Sequence, residues 1–538
     1  MVEKREVEKS NYIDYKSLVW FLALFGFVVI RFIGLGEIPG GINQDEAMSA
    51  VDALALSMYG TDRFGTYLPA HFTAWGYGQM SVLMAYFTVP FIKLFGFNTF
   101  AVRLPMLIAS VAGATAVYFY SKNMLGERIA FIIFLFTAIN PWHFMQSRWA
   151  LDCNMFPHMF VIGICLLGMI FKSKKYLYFS MIFFALCMYS YGVAFYMVPV
   201  FLLVTCFFLL KCKRVTIRQS LTAFLIYFGI SFPIYGTMLI NFMKWETIKL
   251  PFVTMQYFEN SIRANDIIFF CENPIRQLQS NASALIKTAF LQTPDLIWNV
   301  IEGFGTMYLC SLPFIVLGLI IVARSAFGEK EEKKRILSCI LLLYWVCCLI
   351  TGLCINSVNV NRINIIFYSH IIFAGVGISF IITKWRKGII LIAGVYAIYS
   401  ALFFNRYFTV WNEEMKDCFY EDFTEAVKYA GEQGYDYYYI TPDTQYNGAV
   451  KVTEILTLYT LKVDAKYYQG ETNLFMGKDI SYSDRFHYEN VPCDNLNYWD
   501  NTVYVFKTEN TANYDKGLFK VKCFGDYSIA VPVQNAEF

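Results

Sequence analysis

Residues 39–50, "PGGINQDEAMSA", stand just beyond residues 17–36, "SLVWFLALFGFVVIRFIGLG". The second of these stretches is apolar enough, at roughly 20 residues, to cross a bilayer. Its apolar centre, 18–30, has no small-residue cleavage site after it, so it reads as a retained helix rather than a signal peptide. Two adjacent carboxylates, Asp45 and Glu46, therefore lie where a bilayer meets water. What they do there decides how the rest of the chain is read.

Hydrophobic residues make up 57% of the 538 residues and charged ones only 16%. A soluble domain carries roughly 25% charged residues. Apolar runs of spanning length recur from residue 17 to residue 404, which defines a polytopic α-helical membrane protein. Net charge is +3 and no dense basic tract occurs in a polar segment, which argues against a nucleic-acid partner. The 14 cysteines form no CxxC pair and no zinc-like spacing with the five histidines. Most read as small apolar residues; pairing among Cys418, Cys493 and Cys523 is left open.

Basic clusters lie at 4–16, 121–128, 172–175, 211–219, 323–335 and 384–387. Positive loops prefer the cytoplasm, and two apolar runs separate each later pair of clusters. Three runs separate the first pair, so the stretch 79–97 is expected not to cross but to re-enter or lie on the outer face. About eleven spans result: 17–35, 99–120, 129–146, 155–171, 176–192, 194–210, 220–240, 306–323, 336–355, 363–383 and 388–404. A transmembrane domain, 1–404, would then carry outer loops 36–98 and 241–305. Its N-terminus would be cytoplasmic.

The tail, 405–538, is acidic and rich in Asn, Asp and Tyr. "EDFTEAVKYAGEQG" has helical spacing and ends at Gly434; "YDYYYIT" reads as a strand, "PDTQYNG" as a turn and "VTEILTLYTL" as a helix. "TVYVFK", "FKVKCF" and "YSIAV" read as further strands. An extracytoplasmic α/β domain is expected.

Asp45 and Glu46 sit between the turn "PGGIN" and "AMSAVDALALSMYG", which reads as an amphipathic helix lying on the membrane. They are either solvated loop acids or chemical groups. A carboxylate costs about 2.5–3.5 kcal/mol at the bilayer centre but far less at the interface, where it still reaches a lipid head group. Arg148 and Asp152, in "QSRWALDCN", form a second outer polar site. They read as an i,i+4 pair with belt aromatics around it, or as part of a pocket shared with the first loop. Arg103 in "NTFAVRLP" sits at the outer start of the second span, and Arg362 in "SVNVNRIN" stands just before the tenth. They either snorkel or supply guanidinium forks for a phosphate. No nucleotide-binding signature is present.

The stretch 39–72 resembles the first outer loop of the bacterial relatives of the dolichyl-phosphate-mannose protein mannosyltransferases, glycosyltransferase family 39. The resemblance continues through "VPFIKLFGFNTFAVRLP", "INPWHFMQSRWALD" and "ALCMYSYGVAFYMVPV". It implies the C-type glycosyltransferase fold, and a donor sugar on a polyprenyl phosphate such as undecaprenyl phosphate. It implies Asp45 as catalytic base, Asp152 as the second acid, and Arg148 and Arg103 as cations near the phosphate. Glu46 and Asp152 would orient the acceptor, hold a donor hydroxyl or bind a divalent ion; no metal is required by the pattern. The chain departs from its relatives where many carry Pro-Pro-Leu and a preceding lysine; here "WGYGQMSVLMAY" stands instead.

The expected activity is transfer of a sugar, with inversion, to an acceptor hydroxyl at the outer membrane face. Phosphate is a good leaving group, so the reaction needs a base on the acceptor and positive charge at the phosphate. The acceptor is a protein, lipid or wall polymer. A transporter, or a sensor with an extracytoplasmic recognition domain, is the alternative. A transporter would show internal repeats and ionisable groups at mid-membrane, and neither is visible.

Overall fold

A computed structural model describes residues 15–75, 77–259, 272–444 and 450–535. Backbone polar groups in hydrocarbon must be satisfied within the segment, so the apolar runs become helices. Eight helices among the described residues are long and apolar enough to cross: 99–125, 152–171, 194–211, 217–243, 309–328, 332–354, 360–384 and 388–408. The other three expected spans are shorter. They are α1 (Tyr15–Phe32), Glu127–Ile139 and Lys175–Cys187. Asn140 breaks the second of these, capping a further short helix, Pro141–Gln146, by accepting from His143 N at 2.9 Å.

Between α1 and the first long span lie two helices, α2 (Gln44–Tyr59) and α3 (Leu83–Phe95), joined through an antiparallel hairpin of Phe72–Ala74 and Tyr77–Met80. Asn43 caps α2 by accepting from the Asp45 N–H at 2.9 Å, and Gly60 ends it in the left-handed conformation. The sequence suggested that α2 rests on the membrane. Instead it is enclosed by α3 and by the helix Val450–Thr460 of the C-terminal region. Ala47, Ala50, Ala53 and Ala55 are all buried. Small side chains on several faces let neighbours close on both sides, which explains the difference.

The course of α3 follows from one contact partner. Trp75, before α3, and Glu454 line the same cleft, and Thr99, after α3, shares a 2.9 Å hydrogen bond with Tyr459. Glu454 and Tyr459 are only about 8 Å apart along one helix. A hydrocarbon core is roughly 30 Å thick. The two ends of the segment 79–97 thus lie near one helix, closer together than a bilayer is thick.

The loop after residue 243 joins the same face. Its hairpin, Ile248–Leu250 with Val253–Met255, docks on the first loop: Ala70 N donates to Thr254 O and Thr254 N to Leu68 O, each at 2.9 Å. Residues 260–271 of that loop, the N-terminal basic stretch up to residue 14 and 445–448 of the expected turn 442–448 lie outside the described residues.

The C-terminal region begins after the last long helix, with Val410–Cys418 and Glu421–Gln433. Gly434 ends the second of these, in the left-handed conformation. Apart from a small hairpin of Leu474–Phe475 and Lys478–Asp479, five strands follow among the described residues: β1 (Tyr437–Ile440), β2 (Phe486–His487), β3 (Thr502–Lys507), β4 (Phe519–Phe524) and β5 (Tyr527–Pro532). They form a mixed sheet in the order β4-β5-β3-β1-β2, parallel around β1 and antiparallel around β5. All the strands expected from 437 onward are present.

This region is fastened to the first loop by backbone as well as side chains. Ile42 N donates to Phe419 O at 2.7 Å and Gly40 N to Asn412 Oδ1 at 2.8 Å. Gly41 has φ +69°, and a Cβ there would run into the Phe419 carbonyl. A Cβ at Gly40 would meet side-chain atoms of Lys416 and Glu421 and no backbone. Gly41→Ala should therefore lower the thermal unfolding temperature in detergent more than Gly40→Ala. The left-handed backbone alone accounts for about 1–2 kcal/mol. Equal melting of the two variants would contradict this docking.

Candidate functional site

Successive residues on an α-helix point about 100° apart. Asp45 and Glu46, in the first turn of α2, therefore cannot face the same way. Asp45, Met48 and Asp52 lie at i, i+3 and i+7 on one face. Glu46 points to the bundle.

Glu46 is fully buried. Its Oε1 accepts from Arg103 Nε at 2.9 Å and its Oε2 from Arg103 Nη2 at 3.1 Å. Oε1 also accepts from Ala150 N at 2.8 Å. Arg103 is equally buried and donates further to Pro39 O at 2.8 Å and Gly41 O at 3.0 Å. One ion pair thus ties together the loop start, the first turn of α2, α4 (Thr99–Leu125) and the segment between Arg148 and Asp152. The first loop and the stretch between Arg148 and Asp152 are thus in contact, through Glu46 and the Ala150 N–H.

Arg148 was expected near a phosphate. It is buried, and all five of its N–H groups have protein acceptors. Nη1 donates to Ile30 O and Arg31 O at 3.4 and 2.7 Å, Nη2 to Ile33 O and Ile38 O at 2.7 and 3.0 Å, and Nε to Tyr407 Oη at 3.1 Å. The last carbonyls of a helix lack intrahelical partners, and Arg148 supplies partners for the end of α1. In this geometry Arg103 and Arg148 fix the architecture and neither presents a fork outward.

Asp45, half-buried, accepts from Trp75 Nε1 at 3.0 Å. One face-length along the helix, Asp52 accepts from Arg63 Nη1 at 2.5 Å and from Arg63 N at 3.0 Å. Arg63 Nη2 in turn holds Thr73 O at 2.8 Å. Burial pushes the Asp52 carboxyl up to about 7, against the pull of Arg63 and with Asp62 adding to the rise. Asp62, also raised by burial, accepts from Phe64 N and Thr66 N at 3.0 and 2.8 Å and shapes the turn that presents Arg63.

Arg63 and Trp75, the partners of Asp52 and Asp45, line a cleft of about 250 Å³ together with Met48, Glu454 and Tyr468, among others; Asp45 adjoins it through Trp75. Glu454 comes from the C-terminal domain, where Tyr482 Oη donates to its Oε1 at 3.2 Å. The Tyr468 hydroxyl is pushed up, chiefly by burial and then by Glu454.

Asp152 opens the helix Asp152–Gly168 and accepts from Cys153 N at 2.7 Å. Arg362 lies in the short helix Val360–Ile363, with Nη1 on Ser357 Oγ at 2.7 Å. Two residues on, Asn364 Nδ2 donates to Cys153 O at 2.8 Å, so these two segments adjoin. Among the described residues, no group of three or more His, Cys, Asp or Glu side chains is placed to hold a metal ion. Of the tail cysteines, Cys418 is buried, whereas Cys493 and Cys523 are exposed.

Residues 79–236 match the family model described as dolichyl-phosphate-mannose-protein mannosyltransferase. That segment contains Arg103, Arg148 and Asp152 and begins after Asp45. In three dimensions the chain is similar to ArnT from Cupriavidus metallidurans bound to undecaprenyl phosphate. The TM-score is 0.60 at 10% identity, over 98% of this chain and 100% of that one. The apo state of that protein gives 0.57 at 11% identity, over 97% and 99%. The archaeal oligosaccharyltransferase AglB from Archaeoglobus fulgidus, in complex with an inhibitory peptide and a dolichol-phosphate, gives 0.50 at 12% identity. There the match covers 86% of this chain and 66% of the archaeal one, so the chain spans about two thirds of that length. No curated protein sequence matches. The chain therefore has the C-type glycosyltransferase membrane fold, with a strand-containing domain at its C-terminal end.

The two neighbouring acids make opposite predictions for stability. Removing one partner of a buried ion pair typically costs about 3–5 kcal/mol. Glu46→Gln should lower the unfolding temperature sharply, whereas Asp45→Asn, on the half-buried face, should leave it within a few degrees of the parent. Comparable melting of both variants in the same detergent would contradict the division of roles.

Proposed function

We propose that the protein transfers a sugar from a polyprenyl-phosphate donor to an acceptor hydroxyl, with Asp45 as the general base. One observation carries this reading: Asp45 is held at the head of α2 by Trp75, beside the cleft, while its neighbour is locked into the bundle. A base must be fixed in place and yet reachable, and of the two adjacent acids only Asp45 meets both conditions. The fold shared with ArnT, and the family match over 79–236, support a lipid-phosphate donor.

In this reading Asp45 takes the acceptor hydroxyl proton as the acceptor oxygen attacks the anomeric carbon. The bond from that carbon to the phosphate oxygen breaks, polyprenyl phosphate leaves, and the configuration inverts. Negative charge grows on the phosphate. Because Arg103 and Arg148 spend their donors on carbonyls and Glu46, Arg362 is the guanidinium assigned to that charge, with Asp152 on the adjoining segment holding a donor hydroxyl. Glu46, Arg103 and Arg148 act by positioning.

The reading also sets orientation. The N-terminus and basic loops face the cytoplasm; the loop 36–98 and the C-terminal domain face outward. In a cysteine-depleted chain, an impermeant thiol reagent should label Trp499→Cys in intact cells and spare Lys330→Cys. The reverse pattern would overturn the orientation.

The direct test is chemical. Purified protein is incubated with a panel of undecaprenyl-phosphate sugars and membrane extract, and release of undecaprenyl phosphate is followed. Asp45→Asn should lower transfer by about 10²–10⁴-fold, the usual contribution of a general base. Parental turnover in Asp45→Asn would remove it from that role.

A further inference from the structure

The cleft beside Asp45 is built without the membrane. Its lining comes from α2, from residues 63–64 and 73–75, and from Glu454, Ile455, Leu458 and Tyr468; none of these lies in a spanning helix. The cleft is thus walled by the first loop and the C-terminal domain and not by the spans.

The chemistry of the walls is mixed in a specific way. Trp75, Phe64 and Tyr468 offer flat aromatic surfaces. Arg63 lies over the Phe64 ring at 4.6 Å and is pinned by Asp52, so its guanidinium is fixed in orientation. Across the cleft, Tyr482 braces Glu454, and Tyr482 shares a 3.1 Å hydrogen bond with Tyr488. A carboxylate accepts two hydroxyls at once, and charge-assisted bonds are roughly twice as strong as neutral ones. A pyranose ring presents this pairing: apolar C–H faces for aromatic walls and edge hydroxyls for a carboxylate and a guanidinium. A peptide acceptor needs an extended groove with backbone partners, and about 250 Å³ suits a single ring.

We propose that this cleft binds the acceptor, that the acceptor is a saccharide, and that Glu454 selects it by accepting two of its hydroxyls. The proposal rests on the reading of Asp45 as base, which it supplies with a substrate class. The C-terminal domain then contributes a specificity residue to the reaction.

The experiment is a calorimetric titration of the purified full chain with methyl pyranosides of the gluco, galacto, manno and N-acetylglucosamine series, alongside an N-acetyl-threonine methylamide control. At least one pyranoside should bind and the threonine probe should not. Glu454→Gln should weaken that binding by about tenfold or more. In transfer assays it should raise the acceptor KM more than it lowers kcat and leave the donor KM alone, and Glu454→Asp should restore part of the loss. Asp45→Asn should bind the same pyranoside normally without transferring to it. Absence of pyranoside binding, binding indifferent to Glu454→Gln, or transfer to the threonine probe would overturn the proposal. An active Asp45→Asn with Glu454-dependent binding would overturn the base alone.

Discussion

The carboxylate of Glu46 is wholly removed from water, which is costly unless a partner and hydrogen bonds replace the lost solvent. Arg103 supplies a two-point ion pair and Ala150 a backbone N–H. The remaining bonds of Arg103 go to the carbonyls of Pro39 and Gly41. Three segments far apart in sequence, 39–46, the start of α4 and the stretch at Ala150, are therefore registered by one charge pair. Because Glu46 is fixed, the rotation of α2 is fixed, and Asp45 must point roughly a quarter-turn away, toward Trp75. The cleft, its polar wall and the docking of the C-terminal domain all depend on that rotation.

Arg148 performs a similar service one layer away. By capping α1 it converts the end of the first apolar helix into a rigid support for the turn 33–43. That turn can then bring Gly41 against Phe419 with no side chain between them. Gly41 is thus explained by a backbone approach rather than by flexibility. Guanidinium groups here serve as multi-point clamps on carbonyls, a use for which their planar fork is suited.

Much of this was legible in the sequence. Apolar runs of spanning length identify the helices because hydrocarbon allows little else, and the basic loops identify 79–97 as a segment that does not cross. Strand and helix limits in the C-terminal domain follow from Gly434 and from alternating apolar residues. The Asp45–Glu46 pair could be singled out, but not divided, without the helical phase set by the Asn43 cap. Arg103 and Arg148 were legible as important, but sequence does not reveal which acceptors a buried guanidinium finds. Arg63 and Asp52 carried a faint signal, Asp52 being seven residues from Asp45 on a helix. Glu454 carried none: it lies some 400 residues away and joins the cleft only through tertiary packing.

The central claim, that the Glu46–Arg103 pair holds α2 in the phase that presents Asp45, is tested most directly by a double-mutant cycle. Thermal stability and turnover are measured for Glu46→Gln, Arg103→Met and the combined variant. The account predicts strong coupling: each single change leaves a buried charge without its partner, so the combined variant loses less than the sum by about 2 kcal/mol or more. Losses that simply add, with turnover in the single variants equal to the parent, would contradict it.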